Sequence, residues 1–297
     1  AHEVPVEGIF NANDIITELQ NLYINGLKPG MKTGWTDFDE LCTFETGRLC
    51  VVTGVPGCGK SEFVDELVMR LNLLHGWKAA FFSPENMPMA YHMRKLIEKA
   101  TGEQFDARLM DAQVFNKAVL YLGENFSSIL PSDDFTLDNI LDKARTLVSR
   151  NGIRVIVIDP YNRIEHLIPS HLSETQYIGM VIDKMSNFAY RNNCLIILVA
   201  HPRKVNRDPV TQCYAKVSMY DVNGSAHFYN KSDFGLVIER DHLAKVTRVR
   251  VEKVKFKHLG SGNNAEAVFV YNLKNGRFAC CPQGNIAKAV FDNSSWI

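Results

Sequence analysis

One short segment constrains this chain more than any other: Gly54-Val55-Pro56-Gly57-Cys58-Gly59-Lys60-Ser61. It satisfies the spacing G-x-x-x-x-G-K-[ST], and it lies between a short apolar run, Leu49–Thr53, and a helical pattern, Ser61–Leu74. Glycines let the backbone curl so that its N–H groups face phosphate oxygens, and the helix N-terminus adds a favourable dipole. Lys60 then reaches the β- and γ-phosphates, and the Ser61 hydroxyl can ligate Mg²⁺. A chance glycine turn would lack both the Lys-Ser pair and the strand-to-helix setting. The segment implies a site for ATP or another NTP with Mg²⁺.

The rest of the chain supplies the matching architecture. Lys78–Ser83, Val155–Ile158 and Leu195–Ala200 read as strands, and patterns near Met89–Ala100, Asp111–Leu122, Thr136–Ser149 and Glu174–Arg191 read as helices. Continuous apolar strands separated by helices predict an α/β fold with a central parallel sheet covered on both faces. Past Phe234 the helices stop, and Phe234–Glu239, Thr247–Lys255 and Ala267–Asn272 predict an antiparallel C-terminal extension. Before the first core element, Ile15, Ile16, Leu19, Leu22 and Tyr23 fall at helical spacing between Asn13 and Asn25. That apolar face needs a partner, in its own domain or on a neighbouring subunit. A length of 297 residues suits one large domain, and no apolar run approaches the roughly 20 residues of a membrane span.

Charged side chains complete the phosphate site. Arg154-Val-Ile-Val-Ile-Asp159 is an apolar strand ending in a carboxylate, so Asp159 would point into the crevice where ligands bind and hold the Mg²⁺ shell. Many phosphate-loop enzymes carry a catalytic Glu directly after this Asp. Here that position is Pro160, which cannot serve, and this adds weight to Glu85, at the end of Lys78–Ser83, which could orient or deprotonate the attacking water. First-turn stabilisation of a helix is the plainer role for Glu85. His201 ends the strand Leu195–Ala200, where it could sense the γ-phosphate, although a lone histidine is more often simply hydrogen-bonded.

In order and spacing these elements resemble the RecA-like superfamily of P-loop NTPases, and within it the hexameric helicases of the DnaB, Twinkle and phage primase-helicase type, from about Thr33 to Phe278. Ser83-Pro-Glu85-Asn-Met looks like the family's catalytic-glutamate segment, and Asn193–Lys204 like the Twinkle-type strand ending in the phosphate-sensing histidine. Asn223-Gly-Ser-Ala226, Asp233 and Ile238-Glu-Arg240-Asp match the following helix and strand. Glu252-Lys253-Val-Lys255-Phe resembles the Lys-x-Arg-Phe segment whose basic residues reach a neighbouring subunit's γ-phosphate. The resemblance implies that Lys253 and Lys255 act in trans and that Arg240 and Tyr271 sandwich the nucleotide base. Lys255 departs from the usual arginine and lacks its bidentate fork. The resemblance further implies a replicative DNA helicase, a homo-oligomer in a hexameric ring, and single-stranded DNA as partner.

By the same matching, residues 1–30 form a linker segment with a subunit-interface helix, and residues 31–297 the RecA-like motor. The chain then reads as a fragment of a primase-helicase, with a primase domain in the full-length protein. Pro202–Asn223 becomes the DNA-facing loop, where Arg203, Lys204, Arg207 and Lys216 would track phosphates while Gly224 and Ser225 offer backbone N–H groups. A formal net charge of zero argues against indiscriminate polyanion binding, so any nucleic-acid site must be local. The second basic stretch, Arg240 to Lys257, reads as a solvated face. Seven cysteines without a C-x-x-C pair fit free thiols in a reducing cytoplasm, bacterial or phage-infected, with a mitochondrial relative equally compatible. The adjacent Cys280 and Cys281 have no role in this reading. A RecA/RadA-like recombinase and a KaiC-like regulatory ATPase acting on protein partners stay open as alternatives. Ring or filament assembly, and stimulation of hydrolysis by DNA, separate them.

Overall fold

The computed structural model describes residues 8–203, 214–222 and 226–297. A nine-stranded sheet runs through the molecule in the order β3-β2-β4-β5-β1-β6-β7-β8-β9. Its strands are β1 (Arg48–Thr53), β2 (Lys78–Phe82), β3 (Phe126–Ser128), β4 (Ile153–Ile158), β5 (Leu195–Val199), β6 (Phe234–Asp241), β7 (Val246–Val254), β8 (Ala265–Tyr271) and β9 (Phe278–Cys280). Pairing from β3 across to β6 is parallel, and from β6 to β9 antiparallel, as the loss of helical pattern past Phe234 predicts.

Alternation along the strands splits the core in two. Cys50 and Val52 of β1 and Leu195, Ile197 and Val199 of β5 face one cluster, while Leu49, Val51, Ile196 and Leu198 face the other. Successive side chains of a strand point to opposite faces, so a strand buried on both sides must be apolar throughout. On the first face pack α3 (Lys60–His75), α4 (Met89–Thr101) and α5 (Ala112–Asn125), through Phe63, Leu96 and Ala118. On the second pack α6 (Leu137–Asn151), α7 (Glu174–Asn192) and α8 (His227–Lys231), through Ile140, Ile182 and Phe228. The antiparallel extension is tied to the first face by aromatic contacts. Trp35, just before α2 (Thr36–Leu41), stacks on Phe63 at 5.1 Å and meets Phe269 of β8 edge-on at 5.0 Å.

The vicinal cysteines find a packing role here. Cys281 is buried with Val246 and Val268, whereas Cys280 packs against the first cluster. The second basic stretch is not uniformly a solvated face. Arg250 is buried, with Nε donating to Glu252 Oε1 at 3.0 Å and Nη1 donating to Glu239 Oε2 at 3.3 Å. Arg248 pairs with Glu266 across the β7–β8 ladder at 2.9 Å. Carboxylates from the neighbouring strands, Glu239 and Glu266, and Glu252 from β7 itself absorb these charges.

α1 (Ile16–Asn25) buries none of its residues, and Ile16, Leu19 and Leu22 remain 40–47% exposed. Among the described residues no helix is long and apolar enough to cross a membrane.

Candidate active site

Four neighbouring parallel strands, β2, β4, β5 and β1, end on one edge, and each delivers a polar group there. In open α/β sheets ligands bind outside the carboxyl ends of the strands, where the strand order reverses. β1 runs into the glycine loop and then directly into α3, whose N-cap Gly59 has φ 92°, a conformation L side chains rarely adopt. Lys60 is buried, and its ammonium donates to the carbonyl oxygens of Gly54 at 2.7 Å and Val55 at 3.0 Å. Burial lowers its pKa, with the Cys58 thiol and the carboxylates of Asp159 and Glu85 opposing that shift. Val55 is half-buried, Pro56 and Gly57 lie on the exposed rim of the loop, and Cys58 is buried beneath it, with Sγ 4.0 Å from Lys60 Nζ.

Asp159 follows β4 and is 7% exposed. Burial pushes its carboxyl up to about 6; a hydrogen bond from Ser61 and the Lys60 charge pull it back, while Asp65 and Glu85 add repulsion. Removing a carboxylate from water disfavours its charge unless a cation is supplied. Ser61 and Asp159 thus present a hydroxyl and a carboxylate side by side in a setting that favours a cation. Among the described residues no three His, Cys, Asp or Glu side chains form a metal cage. Mg²⁺ needs none, because it is held by one or two carboxylates, waters and substrate phosphates.

Glu85 sits in the single turn Pro84–Asn86 after β2, and His201 follows β5. Burial and the Lys60 charge both lower the His201 pKa, whereas Glu85 raises it, so the three side chains share one electrostatic neighbourhood. Nδ1 of His201 is buried without a hydrogen-bond partner among the described residues. Sequence reasoning missed Arg163, in the turn Tyr161–Arg163 after β4, whose Nε donates to Glu85 Oε1 at 2.8 Å. It also missed the pair behind the site, where His92 of α4 lies 3.0 Å from Asp65 of α3 and both are buried.

Tyr271 and Arg240 come together at the flank of the loop. The Arg240 guanidinium lies 6.0 Å from the Tyr271 ring centroid, and Tyr271 Oη donates to Glu62, the residue after Ser61, at 3.3 Å. Arg240 also donates to Thr247 Oγ1 at 2.9 Å.

Lys253 and Lys255 lie elsewhere. The Lys255 amide donates to the Asp233 carbonyl at 2.9 Å and the Asp233 amide to the Leu49 carbonyl at 2.9 Å. Lys255 is therefore level with the start of β1, roughly 16 Å of strand rise away from Gly54. Its ammonium is 3.3 Å from Asp233 Oδ1. The Lys253 ammonium donates to the carbonyl oxygens of Tyr229 and Asn230, and burial lowers its pKa. Neither lysine faces the glycine loop of its own chain.

Of the residues expected to face DNA, Arg203 is 70% exposed and ion-paired to Asp221 at 3.0 Å, and Lys216 is exposed. An isolated bridge pairs Pro202, just past β5, with Val222. Lys204, Arg207, Gly224 and Ser225 lie outside the described residues.

Residues 30–280 match the model of the DnaB-like helicase C terminal domain. The chain is 31% identical over 296 residues to the Twinkle homolog protein, chloroplastic/mitochondrial, of Arabidopsis thaliana. That match covers 95% of this chain and 41% of the relative, so the chain spans about two fifths of the curated protein it matches. Among solved structures it resembles an isolated ATPase domain with a TM-score of 0.72 at 15% identity, covering 92% of this chain and 99% of that one. It also resembles a DnaB-like replicative helicase studied for its interactions with primase, with a TM-score of 0.68 at 17% identity, covering 92% of this chain and 67% of that one. At such identities the structural matches speak for the fold alone.

Proposed function

Because the chain belongs to the DnaB-like helicase C-terminal domain family, we propose that it is the NTP-driven motor of a replicative DNA helicase, moving along single-stranded DNA as a ring of identical subunits. The observation that carries the reading is the convergence of Lys60, Ser61, Asp159, Glu85 and His201 on one edge of the sheet. In this reading the N–H groups of Gly54–Ser61 cradle the phosphates and Lys60 neutralises the β- and γ-oxygens. Ser61 and Asp159 would hold Mg²⁺, which supplies Lewis-acid charge neutralisation when bound. Glu85 orients a water whose oxygen attacks the terminal phosphorus. The bond to the β-phosphate oxygen breaks, and the water's proton passes to Glu85. His201 reports the terminal phosphate to the segment after β5, where Arg203, Lys204, Arg207 and Lys216, with Gly224 and Ser225, meet the DNA backbone.

Arg240 and Tyr271 would take the base between them. Lys253 and Lys255, remote from their own phosphate loop, would serve the next subunit. α1, with its unburied apolar face in residues 1–30, would seat on a neighbour, residues 31–297 forming the motor. A primase-type partner or domain extends this reading, prompted by the structural relative studied for its interactions with primase. Membership of the helicase family supports this motor over a recombinase or a regulatory ATPase. Hydrolysis measured with and without single-stranded DNA tests the proposal: a several-fold stimulation is expected, and indifference to DNA overturns it.

A further inference from the structure

Glu85 is not left to itself at the phosphate edge. Arg163 Nε donates to Glu85 Oε1 at 2.8 Å, and the two side chains remain 55% and 42% exposed. An ion pair between exposed, flexible side chains adds little to stability, so the fold has small need of this one. The pair joins the exits of β2 and β4, and Glu85 is near enough to Asp159 to repel its charge. Among the described residues Nε is the one Arg163 side-chain nitrogen with a hydrogen-bond partner, which leaves the Nη1/Nη2 fork to present to an anion. Guanidinium matches phosphate oxygens bidentately, and an ammonium does not.

The lysines of β7 and its exit offer only ammonium groups. Lys255 is paired with Asp233, and Lys253 is seated on the carbonyl oxygens of Tyr229 and Asn230. We propose that Arg163 is the guanidinium of this site and acts within its own subunit. It pairs with Glu85 until a nucleoside triphosphate binds, then divides its donors between Glu85 and the terminal phosphate. There it aims the carboxylate at the attacking water and takes up charge spreading over the transferred phosphoryl group. A lysine at the trans position then suffices, because the planar fork comes from the same chain.

This rests on Glu85 as the water-activating carboxylate, so two measurements are needed. In the first, steady-state ATP hydrolysis is followed for Arg163→Ala and Arg163→Lys in the full chain. Arginines in this role are worth about 10³–10⁵ in rate. A fall in kcat of at least about 10²-fold is expected for alanine, with partial recovery for lysine. In the second, ATP and ADP affinities are compared between Glu85→Gln and the double variant Glu85→Gln/Arg163→Ala. ATP binding should weaken about tenfold or more while ADP binding holds, because only ATP carries the terminal phosphate. A purely structural ion pair would not move that ratio once Glu85 is neutral. Inactive Glu85→Gln beside Arg163→Ala with near-normal kcat overturns the Arg163 role and spares the site. Glu85→Gln that still turns over overturns the site reading, and the ATP-to-ADP ratio then decides Arg163 alone: unchanged, it is overturned. Arg163→Lys covers the case in which the alanine variant fails to fold.

Discussion

A Cβ built on Gly54 would stand 2.2 Å from the carbonyl oxygen of Ile238, in β6. The backbone there has φ 151°, and the thiol of Cys58 closes the other side at 2.8 Å. The first glycine of the phosphate loop thus serves packing between β1 and β6 as well as the turn itself.

Gly54→Ala should accordingly disturb both. The contact is with backbone, which cannot rotate away, so the loop or β6 must shift at a cost of about 1–3 kcal/mol. The variant should unfold at lower denaturant concentration and bind nucleotide weakly. An alanine variant with unchanged midpoint and affinity would show that the loop tolerates the shift.

Lys60→Ala and Glu85→Gln should separate binding from turnover. Lys60 is the buried cation of the loop, and without it hydrolysis should be lost together with most nucleotide affinity. Glu85→Gln leaves the cradle intact, so nucleotide should bind while turnover falls at least about 10²-fold, the scale of a general base. Near-normal turnover in Glu85→Gln would remove it from the chemistry.

A third expectation concerns pH and the buried pair behind the site. Burial works against a charge on His92, but the Asp65 carboxylate at 3.0 Å outweighs it and raises the pKa, with Lys95 opposing and Asp159 assisting. A histidine raised above its unfolded value of about 6.5 binds its proton more tightly in the fold. Its stabilisation is whole below about pH 6.5 and is lost as pH rises through the folded value. Denaturation midpoints should therefore decline across that window, and His92→Gln should flatten the decline. An identical pH profile in the two proteins would assign the dependence to other groups.

The proposed DNA contact makes a fourth. Lys204→Ala and Lys216→Ala should weaken single-stranded DNA binding regardless of sequence. Each should flatten the log–log salt dependence by up to about 0.7, the release expected for one phosphate contact. If both slope and affinity hold, the DNA site lies elsewhere.

What the sequence made legible is what it encodes contiguously. The glycine loop, Asp159 and the buried strands of the parallel sheet each depend on local pattern, and Pro160 after Asp159 added weight to Glu85. Helix ends moved by a few residues because caps decide them: Thr136 accepts from the Asn139 amide, so α6 begins at Leu137. β3 and β9, at three residues each, carry too little pattern to be seen. Arg163 with Glu85 and His92 with Asp65 were invisible because the partners lie 78 and 27 positions apart. Arg250 misled because a run of basic residues does not show its pairing: one acid, Glu239, comes from β6 and the other, Glu252, lies two residues along its own strand.

The subunit interface supplies the last expectation. Lys253 and Lys255 sit at the end of the sheet remote from their own glycine loop, so whatever phosphate they serve must belong to another chain. Lys255, 55% exposed and paired with Asp233 at 3.3 Å, can exchange that partner for a phosphate. If it does, hydrolysis needs assembly, and specific activity should rise with protein concentration as rings form. Lys255→Ala should lose most activity yet still bind nucleotide. Its loss should be smaller than the 10³–10⁵ associated with an arginine finger, because an ammonium is a point charge without a fork (about 10–10²-fold). Lys255→Arg should retain or gain activity. Mixing Lys255→Ala with Glu85→Gln protomers gives the sharper measurement. At some mixed interfaces an intact Glu85 meets an intact Lys255, and those sites should hydrolyse although neither parent does so efficiently. If the mixture is no more active than its parents, and a dilute monomer turns over as fast as a ring, then Lys255 is a surface residue and the site is complete within one chain.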